Sequence, residues 1–224
     1  MKKLNVSKIL VVCLIVVSMV SASFAVYADS KNVNKLDTGL QYRVDTKGDA
    51  YNVKIFIKVN NKNELDSYTS KVKAESADIT MAYDNKEVPV TITFKKPLSI
   101  SEFTSFVEES KINVSEFKIR FLDENNIRTT LGGKPEDGVL IPEDKINELT
   151  EKYLTHKMQG VVAAVGTVTV DAANLTKLQN NDKVYLVDAS SVQVAEQIKN
   201  NKKVKDVAYP TVPDVYWFVE DFNK

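Results

Sequence analysis

Cysteine occurs once in the 224 residues, at Cys13, and its position constrains how the rest of the chain can be held together. It lies inside an apolar run, Ile9 to Val20, interrupted only by Ser18. A positive start (Met1-Lys2-Lys3, then Lys8) precedes the run, and small residues follow it, ending Val26-Tyr27-Ala28 before Asp29. Charged start, apolar core and small-residue site are the three parts of a secretory signal. The 12-residue core falls short of the about 20 residues that span a bilayer. Cleavage after Ala28 is therefore expected, with Ala25 as a second cut. If Phe24 to Tyr27 are counted in, residues 9–27 become an uncleaved anchor, and only then is a membrane a partner. Val11-Val12 before Cys13 do not make the small-residue box of a lipidated cysteine.

Cleavage would remove the only thiol, so the exported part is expected to hold together through its core alone. A chain of this length can do so, because it buries about 70% of its unfolded surface. Cleavage would also remove Lys2, Lys3 and Lys8 and no acid. That leaves 27 basic residues against 30 acidic ones, a net charge of −3. Nucleic-acid binding wants a basic face, so a nucleic-acid partner is not expected. Nine Phe and nine Tyr point to a globular chain rather than a disordered one.

Residues 29–50 are polar, with Gly39 and Gly48, and read as an arm or linker with a short strand at Leu40 to Val44. The remainder, 51–224, reads as an α+β region of one domain or two coupled subdomains, 51–138 and 139–224. Tyr51, Val53, Ile55, Ile57 and Val59 alternate with Asn52, Lys54, Phe56 and Lys58, the period of a half-buried strand. Asn60 to Asn63 ends it. Ile79–Tyr83 and Val88–Phe94 are read as two strands joined by the turn Asp84 to Glu87. Ser99-Ile100-Ser101-Glu102 is a capping box, opening a helix to about Lys111 with Phe103, Phe106 and Val107 on one face. Phe117, Ile119 and Phe121 mark the next strand, completing a β-α-β unit from Val88 to Leu122.

Thr130 to Gly138 reads as a loop, and its Gly-Gly-Lys lacks the spacing of a phosphate loop. Pro142 opens a helix with a stripe of Ile146, Leu149, Tyr153 and Leu154, ended by Gly160. Val161–Val170 is a strand. Asp171 caps a short helix carrying Leu175 and Leu178, and Val184–Val187 is a strand, making a second β-α-β unit. Ser190-Ser191-Val192-Gln193 has the form of a second capping box, before a helix burying Val194, Ala195 and Ile198. Val215-Tyr216-Trp217-Phe218-Val219 reads as a final strand. The two units together suggest a ferredoxin-like sandwich of sheet and helices, with an inserted helix and a C-terminal extension.

The second unit, residues 161–188, resembles the latter half of subtilisin-type propeptides. The resemblance is carried by Gly166-Thr167-Val168-Thr169-Val170, the short helix within Asp171 to Asn180, and Asp182-Lys183-Val184-Tyr185-Leu186-Val187-Asp188. It implies a ferredoxin-like module that binds a protease, assists its folding and blocks its active site with the tail after the last strand. The chain departs from that pattern: no protease follows, the connection between units is long and helical, and 36 residues follow Asp188.

No catalytic, metal or cofactor site is expected. His156 is the only histidine and has no nucleophile motif beside it; it reads as a surface residue at the edge of the helical stripe. Zinc wants several His or Cys ligands. Asp123 to Asn126 and Asn180 to Asp182 lack the spacing of a calcium loop. Glu108-Glu109, Glu143-Asp144 and Glu220-Asp221 read as charged helix or chain ends. Tyr216, Trp217 and Phe218 are the candidate partner-binding residues, because Trp and Tyr concentrate at interfaces; packing on the core is the competing reading. The expected function is an exported non-enzymatic module binding an extracellular or envelope protein, including protease modulation in the propeptide manner. The alternatives are a module that binds or hydrolyses cell-wall polysaccharide through carboxylates, and a structural surface component.

Overall fold

The computed structural model describes residues 33–47, 50–152, 156–171, 174–202 and 207–222. Residues 1–28, read from the sequence as a signal with Cys13 and an expected cut at Ala28, lie outside these residues. The described chain is a mixed α+β fold with two antiparallel sheets.

The smaller sheet has the order β1-β2-β3, from Val33–Lys35, Gln41–Lys47 and Ala50–Phe56. Most of the segment read as a polar arm is thus structured. Leu36, Leu40 and Tyr42 are its anchors, all buried. Three apolar side chains suffice to tie down an otherwise polar stretch, since each fully buried one contributes about 1.5–3 kcal/mol.

Helix α1, Lys62–Ala82, follows. The Asn61 side chain accepts from the Glu64 backbone N–H at 3.0 Å, and Glu64 accepts in turn from the Asn60 N–H at 2.9 Å. The asparagines expected only to end a strand therefore start a helix. Leu65, Tyr68, Val72 and Ile79 recur at helical spacing and are buried. Ile79–Tyr83, expected as a strand, is instead the last turn of α1 and its cap. The apolar residues there were too few to tell the two periods apart.

The larger sheet runs β6-β5-β7-β4-β8, from Arg128–Gly133, Asn113–Asp123, His156–Thr169, Glu87–Leu98 and Val184–Asp188. Every pairing in it is antiparallel. Strands from 51–138 and 139–224 therefore interleave, and the two expected subdomains share one sheet. β4 and β5 are parallel to each other with β7 between them, linked through α2, Ile100–Ser110. β7 and β8 are parallel with β4 between them, linked through α4, Asn174–Gln179. Two expectations change. β6 occupies the Thr130–Gly133 stretch read as loop. His156 and Gly160 lie in β7, not at the end of the preceding helix α3, Glu143–Lys152. Gly160 has φ +134°, and a Cβ there would meet the Leu98 carbonyl oxygen at 2.2 Å, so β7 can cross β4 here only with glycine.

The capping box of α2 forms as read, with Ser99 and Glu102 each accepting from the other's backbone N–H at 3.2 and 2.8 Å. Its Phe103 and Phe106 pack edge-on to Phe94 of β4, at 5.9 and 5.1 Å between centroids. Asp171 accepts from the Asn174 N–H at 2.6 Å at the start of α4, and Leu175 and Leu178 join the same core. The other face of the sheet carries a second core around Leu186, Val194, Ile198, Val212, Val215 and Val219. Here lie α5, Ser191–Lys202, and α6, Tyr216–Phe222. α6 replaces the expected final strand. It buries Tyr216 and Val219, three residues apart, beside Val215 just before it, and stacks Phe218 on Phe222.

Candidate functional site

The alternation of β5 sends Phe117, Ile119 and Phe121 into the first core and turns Lys118 and Arg120 to the opposite face. That face is where the C-terminal segment lies. Thr91 and Thr93, which alternate with Val90, Ile92 and Phe94 on β4, hold it. The Thr91 hydroxyl donates to the Val212 carbonyl at 2.7 Å, and the Thr93 hydroxyl accepts from the Val215 N–H at 3.1 Å. Asp214 then sets the helix. One carboxylate oxygen accepts from the Tyr216 N–H at 3.0 Å and the other pairs with Lys118 at 2.8 Å.

Arg120 is the centre of the arrangement. Its side chain is 1% exposed, yet it carries a full charge. Nη2 pairs with Glu220 at 3.0 Å, and Nη1 donates to the Thr130 hydroxyl at 2.5 Å. Nε is buried and has no hydrogen-bond partner. The guanidinium carbon lies 4.6 Å from the Trp217 ring centroid and 5.5 Å from that of Tyr216. Arg128, at the start of β6, lies 4.3 Å from the Trp217 ring and pairs with Glu220 at 3.0 Å and Asp221 at 2.6 Å. Two arginines on neighbouring strands thus fix one tryptophan, cation against ring face.

The electrostatics follow. Burial pushes the Arg120 guanidinium below its ordinary value, against the pull of Glu220. Burial also works against the Lys118 ammonium, but Asp214 outweighs it and the group ends above its usual value. Burial pushes the Tyr216 hydroxyl up to about 12, with Glu220 adding to the effect. At neutral pH the Tyr216 hydroxyl therefore stays protonated.

The three candidate residues separate on the helix. Tyr216 is buried at 5%, whereas Trp217 and Phe218 are half-buried. Core packing thus accounts for Tyr216, and part of the Trp217 and Phe218 rings remains open to solvent. Nearby Ile127, in the β5–β6 turn, is 59% exposed. Lys118, Arg120 and Arg128 were missed from the sequence, where the alternation marks the first two only as the polar side of a strand. Glu220-Asp221, read as a charged chain end, turns out to be the acidic half of this cluster.

A second polar cluster sits where β8 meets α1 and α5. Asp188 is completely buried, and its carboxylate accepts from the Tyr68 hydroxyl and from the Ser190 N–H at 2.9 Å. Burial pushes its pKa up, and the donors only partly offset this. The capping box expected at Ser190 does not form. Ser190 is engaged by Asp188, and the Gln193 side-chain oxygen is buried without a partner. Glu75 on α1 is also raised by burial.

A cavity of about 350 Å³ opens on the helical side, lined by Glu109, Ser110, Asn174, Lys177, Leu178 and Asn181. Glu109 is the one carboxylate among its lining residues. Among the described residues, no group of three or more His, Cys, Asp or Glu side chains is placed to share a metal ion. No described helix is long and apolar enough to cross a membrane. Comparison with models of protein families, with curated proteins and with solved structures finds no match for this chain.

Proposed function

We propose that this chain is an exported, non-enzymatic module that binds another extracellular or envelope protein, with its contact region at α6 and the basic strands beneath it. The observation that carries this reading is Trp217, half-buried with part of its ring open to solvent, and fixed by Arg120 and Arg128. Trp, Tyr and Arg dominate the few residues that supply most interface energy. A ring already held in place loses little freedom on binding, which lowers the cost of association. The half-buried, stacked pair Phe218 and Phe222 extends the surface along the same helix. The export part of the reading rests on residues 1–28.

The test is paired capture from the secreted and cell-surface fraction, using wild type and Trp217→Ala, with native fold checked by circular dichroism. A protein retained by wild type and lost by the folded variant is expected. Identical recoveries, or no recovery, remove the reading.

Protease modulation is the more specific version. The strand order β8-β4-β7-β5, with each β-α-β pair split by a strand of the other, supports a ferredoxin-like assignment of these four strands and kinship with subtilisin-type propeptides. Residues 207–222 are folded back onto the sheet, so a blocking tail would first have to detach. Slowed peptide hydrolysis by a subtilisin-type protease is the expected sign, and no effect at micromolar protein eliminates this version.

A further inference from the structure

The cover that α6 and its lead-in provide is unusual in what lies under it. A segment that only completes a core meets apolar side chains alone; this one buries Val212, Val215 and Val219 in the second core and meets polar groups as well. Here the sheet offers Thr91 and Thr93 hydroxyls and three cations, Lys118, Arg120 and Arg128. The segment answers with one acid for each cation: Asp214 at 2.8 Å, Glu220 at 3.0 Å and Asp221 at 2.6 Å. It adds a backbone carbonyl and an N–H for the two hydroxyls, and two aromatic rings for Arg120. This is how a peptide sits in a receptor groove, with main-chain hydrogen bonds giving affinity and side-chain pairs giving specificity. The match is also incomplete, since buried Arg120 keeps one N–H donor unused.

We propose that the β4-β5-β6 face is a docking groove for an acidic, aromatic segment of another protein, and that residues 212–221 of this chain are its resident occupant. The proposal rests on the reading of α6 and its underlying strands as the contact region, and it names the partner's chemistry. Two features make the occupant replaceable. α6 has seven residues, too few for a helix to persist without its contacts. Its ties to β5 and β6 are ion pairs whose acids, Asp214, Glu220 and Asp221, are 15%, 22% and 32% exposed, so neutralising those acids loosens it, whereas their partial burial limits screening by salt. A tethered tail competes at an effective concentration in the millimolar range, so an arriving segment must match it closely or find it weakened.

The probe is a fluorescein-labelled peptide with the sequence of residues 207–224, titrated into the full chain and followed by anisotropy. In the full-length Glu220→Gln/Asp221→Asn variant the tail is weakened and the groove is untouched. Binding about tenfold or more tighter than to wild type is expected, together with a higher Tm on peptide addition. Adding Arg128→Gln should reverse the gain, and a peptide with its acids made amides should not bind. Should the double variant fail to fold, Asp221→Asn alone serves in its place, with Lys118→Gln as the groove change. A folded tail-weakened variant that binds no peptide overturns the proposal: the groove then exists only as part of a core that the tail completes. Equal binding of the neutral peptide also overturns it. So does a concentration-dependent dimer of wild type that the peptide dissociates, which would make a second copy the occupant. Capture of a partner through Trp217 without any peptide binding leaves the general protein-binding reading in place and removes this one.

Discussion

Glu220→Ala should destabilise the protein more than Arg120→Met, although both break the same ion pair. Arg120 is 1% exposed and, among the described residues, has no carboxylate partner other than Glu220. Removing Glu220 strands a buried cation, a change that costs about 3–5 kcal/mol when nothing compensates. The Thr130 hydroxyl and two aromatic rings still hold the guanidinium, so the lower end, about 3 kcal/mol, is expected. Arg120→Met strands nothing, because Glu220 is 22% exposed and keeps Arg128 at 3.0 Å. The loss of a charged hydrogen bond and ring contacts, about 2–3 kcal/mol, is offset by relief of burying a charge, leaving about 1 kcal/mol. Urea unfolding read through Trp217, the only tryptophan and itself in the cluster, measures both. With a slope of about 2 kcal/mol per molar, the midpoint should fall by about 1.5 M for Glu220→Ala and about 0.5 M for Arg120→Met. The double variant should cost less than the sum of the singles. An Arg120→Met loss equal to or larger than that of Glu220→Ala would refute the view that Arg120 is the stranded partner.

Asp188 is raised by burial and has neutral donors only, so its contribution to stability is complete below the unfolded value of about 4 and is lost as pH rises through the raised folded value. Asp188→Asn keeps an acceptor for Ser190 and should flatten the fall in Tm between acid and alkaline pH; Glu75, raised in the same way beside Tyr68, Asp37 and Asp78, keeps part of the slope. An unchanged pH slope in the variant would contradict this. Gly160→Ala forces a Cβ against the Leu98 carbonyl at positive φ and should cost about 3 kcal/mol or more, or abolish soluble expression. Ser99→Ala removes one side of the α2 capping box and should lower urea stability by about 1 kcal/mol, with no change in the peptide titration.

Signals that are local in the chain were legible. The α2 capping box needs only Ser99 and Glu102 on one turn, and it forms as written. The alternation in β3 and β5 named their strands, because the side-chain period belongs to the backbone. Asp171 was recognised as the cap of α4 for the same reason. The second capping motif failed because Ser190 had another claimant: the Asp188 carboxylate, itself 2% exposed and two residues away, accepts from the Ser190 N–H that the box would have used. Val215–Val219 failed differently. Valine and aromatics favour strands, but Pro213 and Asp214 start a turn, and Lys118, Arg120 and Thr93 on the sheet reward the helical spacing of Asp214, Tyr216 and Glu220. No sequence rule contains those partners.

The sequence alone carries the expectation of a secretory signal in residues 1–28 and of a disulfide-free remainder after cleavage, and it determined the elements whose caps or periods are complete within a few residues. Only the tertiary structure decided that β7 separates β4 from β5 and that 62–82 is one helix. The conversion of Arg120 from the polar side of a strand into a buried cation was decided there too. The reason is range. Caps and periods are satisfied by neighbours in the chain, whereas Arg120 and Glu220 are a hundred residues apart and acquire meaning only once the fold brings them to 3.0 Å.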